Sequence, residues 1–482
     1  MPNHQPNILL ITSEDNGPEL SCYGETNVQT PHLDALAASG ARFENACVTQ
    51  AVCSPGRASI LTGLYPHQNG QIGLATHKFT MFDGITTLPA LLKDAGYRTG
   101  RIGKLHVLPE SASPFDWVWN PREYMSFQHR DVATTAATAS EFMRADDAPF
   151  FLMVNYSDAH LPWIDQDCGL PETPLTADDV QVPPAVGVDS PRLRARTASY
   201  FNCISRLDTG IGMLLDELER TGQADNTLVI YITDHGPQFS RGKGCCYELA
   251  LRAPLLVRWP GVASPGTVRD EFVSQIDVLP TVLDAARITL PADLPGRSLK
   301  PLVANETVTD WRAHLFAEWN TSHPYPEPAF LNPQRSVRDA RYKLILNLLP
   351  DRENPVADYY TQHTLVDTGA TREEIDAAPP HVRDAYARWH HPPAVELYDL
   401  ETDPHEFHNL ADDPAHAPVR ERLLAALHQW QTETADPLAD PDKLARFVDE
   451  HKRAAQLGGG HRQPDFRWEY VDYLAPSASA SR

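Results

Sequence analysis

Short, fully apolar runs that end in polar residues recur along the first two-thirds of the chain, and they constrain the fold more than any other feature. Asn7 to Thr12, Phe150 to Asn155, Thr227 to Thr233 and Leu255 to Arg258 read as buried strands, and Tyr97 to Gly103 as a further one. Between them lie helical patterns. Thr30-Pro31 opens one with an N-cap and a proline at the first turn, Leu33, Leu36 and Ala37 form its apolar face, and Gly40 stops it. Leu88 to Ala95, Val132 to Met143 and a long stretch from Arg192 to Arg220 follow. Strands that are apolar on both faces and alternate with helices predict an α/β protein with a parallel sheet covered on each side. Functional groups then gather at the carboxyl ends of the strands.

The pattern changes near residue 330. Ser336 to Asn347 and Val395 to Leu400 carry β signal, and Val419 to Gln431 is an amphipathic helix. The expected division is a catalytic domain over 1–330, a smaller α+β domain over 331–474, and a disordered tail over 475–482 rich in Ser and Ala.

Charge and leader signals narrow the class. The net charge of −23 argues against broad binding to nucleic acid or anionic membrane. The N-terminus has no basic region, and its apolar run ends in Glu14-Asp15. Seven cysteines without a framework fit a reduced setting, so the expectation is a cytoplasmic protein with no membrane span.

The strongest segment is Cys53-Ser-Pro-Gly-Arg57-Ala-Ser-Ile-Leu-Thr-Gly63. It resembles the signature of the type I, formylglycine-dependent sulfatases. The resemblance implies the fold of that family: a large, mixed, mostly parallel alkaline-phosphatase/sulfatase-like sheet between helices, with a C-terminal α+β domain. It also implies that a formylglycine-generating enzyme oxidises Cys53, and that the aldehyde hydrate supplies the nucleophilic oxygen, held by Arg57.

Oxyanion chemistry calls for hard oxygen ligands. Glu14-Asp15 ends the first strand and Asp234-His235 ends the strand at 227–233, so with residue 53 they form a predicted site for one divalent cation. In the family this ion is usually calcium. Histidine at 235 also suits manganese. Gly103-Lys104-Leu105-His106, Asp158-Ala-His160 and Lys243 ahead of Tyr247-Glu248 resemble further elements of the family. By that resemblance Lys104 and Lys243 neutralise the sulfuryl oxygens, His160 protonates the leaving atom, and His106 takes the proton from the remaining hydroxyl.

Within the family, Thr30 to Ala37, Pro66 to Gly70, Glu396 to Asp399, Asp403 to Glu406 and Trp430 to Thr434 are similar to the sulfamidase branch, which acts on N-sulfoglucosamine. The resemblance therefore implies release of sulfate from a sulfated sugar, with N-sulfoglucosamine at a non-reducing end favoured. Asp158, His323 and Arg335 are the expected substrate-binding residues. O-sulfated sugars, a phosphonate monoester or phosphodiester substrate, and a non-catalytic glycan-binding role stay open, as does self-association.

Overall fold

A computed structural model describes residues 5–120, 127–324, 330–350, 352–362 and 366–476. Fourteen strands among these residues form three sheets. The eight-stranded sheet contains β1 (Asn7–Ser13), β2 (Ala41–Phe43), β4 (Arg98–Ile102), β5 (Trp117–Trp119), β6 (Phe150–Asn155), β7 (Thr227–Thr233), β8 (Leu255–Arg258) and β9 (Thr267–Arg269). A two-stranded ladder joins β3 (Ala46–Cys47) to β10 (Val273–Ser274). The large sheet runs in the order β5-β4-β6-β1-β7-β8-β2-β9. Only β8 runs against its neighbours. The sheet is thus mixed and mostly parallel.

Alternation along the strands divides the core into two layers. Leu9 and Ile11 of β1 pack with helices α3 (Val132–Arg144) and α4 (Pro191–Arg220). Ile8 and Leu10 pack on the opposite face, with α2 (Cys53–Thr62) and α5 (Val278–Ala286). Helix α1 (Pro31–Ser39) carries the predicted Leu33, Leu36 and Ala37 face.

The second sheet is antiparallel, β11 (Leu315–Thr321), β12 (Leu331–Arg338), β13 (Tyr342–Asn347) and β14 (Val395–Asp399). It begins at Leu315, ahead of the change of pattern at residue 330. Glu318 and Asn320 interrupt the apolar character of β11, yet both are buried, with Glu318 accepting from His67. The tail expected at 475–482 falls mostly outside the described residues. Among the described residues no helix is long and apolar enough to cross a membrane.

Candidate active site

Register builds the site. Thr12 of β1 lies opposite Asn155 of β6 and Ile232 of β7, so the carboxyl ends of three neighbouring strands finish together. Glu14-Asp15 leave the first, and Asp234-His235 the last. Helix α2 starts at Cys53 after an extended Val52, which places residue 53 at a helix N-terminus, where anionic character is favoured. Gly56 lets this helix approach the sheet: a Cβ there would lie 2.4 Å from the Asp234 carbonyl oxygen.

Ligand atoms of Asp15, Cys53, Asp234 and His235 all lie within 4.8 Å of one another, and all four residues are buried. His235 Nδ1 lies 2.8 Å from the Gly236 carbonyl oxygen. Donation there turns Nε2 toward Asp15 Oδ1 at 3.2 Å and Cys53 Sγ at 3.4 Å, where it carries a proton beside the carboxylates and would offer a lone pair to a cation that displaces that proton. Two carboxylates and an imidazole so aimed fit a divalent cation, with residue 53 as a further donor. Glu14 stands at one side, in an overlapping group with Asp15, Cys53 and His160.

Each carboxylate also has its own cation. Lys104 Nζ donates to Glu14. Lys243 Nζ donates to Asp15 Oδ2 at 2.8 Å and lies 3.6 Å from Cys53 Sγ. Arg57 donates to Asp234 Oδ2 at 3.1 and 3.2 Å. Burial pushes the Cys53 thiol up, but Lys104 and Lys243 outweigh it and the pKa falls to about 7. Burial also opposes protonation of His235, which Asp234 and Asp15 overcome, raising it to about 10.

These groups open into a cavity of about 490 Å³, within the roughly 300–1,000 Å³ of ligand pockets. Cys53, Lys104, His106, His160 and Lys243 line it. His160 donates from Nδ1 to the Leu161 carbonyl at 2.5 Å and stacks on Phe127 at 4.2 Å. Both ring nitrogens of His106 are buried, and neither has a hydrogen-bond partner among the described residues. Burial and the neighbouring Lys104 and Arg57 hold its pKa well below the usual histidine range, so it is neutral.

The three expected substrate-binding residues lie elsewhere. Asp158 is buried, and Arg130 and Arg206 take both its oxygens at 2.8–3.1 Å. Arg335 is buried against Asp436 at 2.7 and 2.8 Å. It also donates to Asn320 Oδ1 at 3.0 Å and to the Gln334 carbonyl at 2.8 Å, and lies 3.7 Å from Glu318 Oε2. His323 bonds Ser322 and stacks on Phe330 at 4.2 Å. None of the three lines the cavity. Ion pairs formed across the fold satisfy Asp158 and Arg335, and local sequence carries no sign of that.

Sequence reasoning missed Asn155. Its side chain donates to Glu14 Oε1 at 2.8 Å and accepts from Arg57 at 2.6 Å. The signal was available: it is the polar residue that ends an otherwise apolar strand, as Asp15 and Asp234 do beside it.

Comparison with known proteins places this geometry. The family model described as Sulfatase matches residues 6–288. One described as N-sulphoglucosamine sulphohydrolase, C-terminal, matches residues 239–358. Human N-sulphoglucosamine sulphohydrolase is 36% identical over 89% of this chain and 91% of its own length. An ulvan-active sulfatase of Formosa agariphila is 29% identical over 91% of this chain and 82% of its own. Among solved structures, BT4656 in complex with its substrate D-glucosamine-2-N,6-O-disulfate superposes with a TM-score of 0.67 at 22% identity, over 90% of this chain and 98% of that one. A phosphonate monoester hydrolase of Agrobacterium radiobacter gives the same TM-score and identity, over 89% and 96%. The last two show the shared fold.

Proposed function

This chain belongs to the sulfatase family, and from that premise we propose that it hydrolyses the sulfate of N-sulfoglucosamine at the non-reducing end of a sulfated glycan. One observation supports this substrate over other sulfated sugars. Identity with the human N-sulphoglucosamine enzyme is 36% over nearly the whole chain, against 29% for the ulvan-active sulfatase, and the matching C-terminal model is described by the name of the same activity. The shared catalytic motifs alone would not separate the branches.

Family membership brings a formylglycine made from a cysteine and a divalent metal ion. In this reading Cys53 is the residue converted, by a formylglycine-generating enzyme. Asp15, Asp234 and His235 hold the ion, with Glu14 beside them. Calcium suits the carboxylates, and the imidazole also accommodates manganese. Bound there, the ion would stabilise negative charge on the sulfuryl oxygens.

The chain's own residues do the rest. Arg57, between Asp234 and Asn155, orients residue 53. Lys104 and Lys243 point ammonium groups at the place where the sulfate sits, stabilising charge as it shifts. His160 keeps its Nδ1–H on the Leu161 carbonyl; when a second proton occupies Nε2, a form that burial disfavours and Asp15 supports, it passes that proton to the departing nitrogen, which cannot leave as an anion. His106, neutral and unpaired, accepts the proton that frees the product. Residues 1–330 carry this machinery, and the region from 331 onward closes the fold beside it.

The test offers N-sulfated, 6-O-sulfated and 2-O-sulfated glucosamine side by side to protein whose Cys53 conversion has been verified by peptide mass. Sulfate release from the N-sulfate is expected. Release from O-sulfates alone would place the chain among the O-sulfatases, and turnover of a phosphonate monoester in preference to any sulfate would overturn the reading.

A further inference from the structure

We propose that Arg101 forms a second anion subsite in the cavity, which binds a sulfate or carboxylate group of the substrate other than the sulfate being removed. The inference rests on the reading of the cavity as a sulfated-sugar site, and adds that the preferred substrate carries two negative groups.

Charge pairing within the cavity singles this residue out. Lys104, Lys243 and Arg57 each have a carboxylate, Glu14, Asp15 and Asp234 respectively. Arg101 has none: among the described residues its guanidinium forms no ion pair. Its one hydrogen bond runs from Nη1 to the Gly103 carbonyl at 3.1 Å, and its buried Nε has no partner. Yet only 7% of the residue is exposed, and it lines the cavity. A cation withdrawn from water without a counter-charge is costly, and arginine keeps its proton rather than shed the charge. Arginine also presents a planar fork that matches sulfate and carboxylate oxygens.

The backbone fixes where the group points. Ile102 packs into the core layer beside α3 and α4, so Arg101, its neighbour on β4, projects to the opposite face. There its guanidinium lies over the Phe115 ring, 5.9 Å from the centroid. Lys104 lies three positions further along the chain, so the two Cα atoms are at most about 10 Å apart. That span keeps Arg101 within reach of a sugar whose sulfate meets Lys104, and its place over Phe115, while Lys104 pairs with Glu14, gives the two cations different neighbours. Glu110 also lines the cavity, on the short turn Glu110–Ala112. Among the described residues it is the one acidic group that acts on Arg101, and it stands outside ion-pair distance.

The second anion can come from another sulfate on the same sugar or from a uronate carboxylate on the adjoining one. The experiment compares kcat and KM for N-sulfoglucosamine, N-sulfoglucosamine 6-O-sulfate, and N-sulfoglucosamine joined to a hexuronate, with glucosamine 6-O-sulfate and 3,6-di-O-sulfate as an O-sulfated pair. At least one doubly anionic compound should exceed its singly charged counterpart in kcat/KM by roughly 10-fold or more, the value of a charge-assisted hydrogen bond, mostly through KM. Which compound gains identifies the source. The gain should shrink at high salt. Arg101→Met, which keeps an apolar stem over Phe115, should bring the ratio close to one, and Arg101→Lys should keep part of it. No preference for a second anion in the wild type, or an unchanged ratio in Arg101→Met, would overturn the inference. Release from O-sulfates only would instead remove the N-sulfate reading, and the ratio for the O-sulfated pair would still decide the role of Arg101.

Discussion

Asp15 and Asp158 follow the carboxyl ends of neighbouring parallel strands, and both are buried against cations, yet they are built for different ends. Asp15 takes one bond from the single ammonium of Lys243 and meets His235 with its other oxygen. Nothing forks around it, and both neighbours also approach Cys53. Asp158 is gripped by the guanidinium groups of Arg130 and Arg206, which occupy both oxygens, and Arg206 extends further to the Ile164 and Leu170 carbonyls. One carboxylate has an oxygen that a ligand can claim; the other has been consumed in joining β6 to α4. Position at a strand end is therefore not the distinguishing feature. What separates these two is the number and geometry of the counter-ions: the point charge of Lys243 leaves Asp15 lone pairs free, and two guanidinium groups fill those on both oxygens of Asp158.

The largest effect expected from this contrast is on turnover. Cys53→Ala removes the proposed nucleophile precursor from the Asp15 cluster, and sulfate release should fall by roughly 10⁴-fold or more, as for other essential nucleophiles. Its Tm should stay close to wild type, because the side chain removed is small. Sulfate release assayed beside a thermal melt checks both halves, and an active Cys53→Ala protein would break the assignment.

Next in size is a crossover between two equivalent changes. Asp158→Asn leaves two buried arginines short of their counter-charge and should cost about 3 kcal/mol of stability, at the lower end for a broken buried pair. Asp15→Asn removes one of several crowded carboxylates and should cost less. Its loss should instead appear in bound divalent metal, measured by elemental analysis, and in activity. Equal melting temperatures for the two variants, or a larger metal loss in Asp158→Asn, would erase the distinction drawn above.

The same contrast explains what could be read before the fold was known. Strand and helix alternation was legible because β1, β6 and β7 are apolar on both faces and end abruptly in polar residues. The residues facing the cavity were legible where they follow such ends or lie in the segment from Cys53 to Gly63. Asp158 and Arg335 were misread because their partners, Arg206 and Asp436, are brought to them only by the packing of distant segments. Residue type and position were the same as at a working site. β11 was hidden for a related reason: Glu318 and Asn320 break its apolar pattern, and the groups that satisfy them, including His67, Gln50 and Arg335, come from elsewhere. Arg101 was overlooked in the opposite sense. An arginine inside a strand reads as a paired structural charge, and only the assembled cavity shows that no carboxylate among the described residues pairs with it.

The smallest effect concerns a buried group of a third kind, neither pinned nor aimed at a ligand. Among the described residues His106 has no hydrogen-bond partner on either nitrogen, and burial, with Lys104 and Arg57 beside it, keeps its pKa well below 6.5. In the unfolded chain the same imidazole titrates near 6.5. As pH falls below that value the unfolded state gains a proton that the folded state refuses. The stability linked to His106 is thus complete above pH 6.5 and is lost below it, by up to about 1.4 kcal/mol per pH unit. Replacing it with a side chain that does not titrate, as in His106→Gln, should flatten the dependence of unfolding free energy on pH between 6.5 and 5, measured by denaturant titration at each pH. The wild-type slope minus the variant slope isolates this residue from the other histidines. A difference of zero would mean that His106 takes up its proton in the folded protein, and a neutral proton acceptor would then be absent from the cavity at mildly acidic pH.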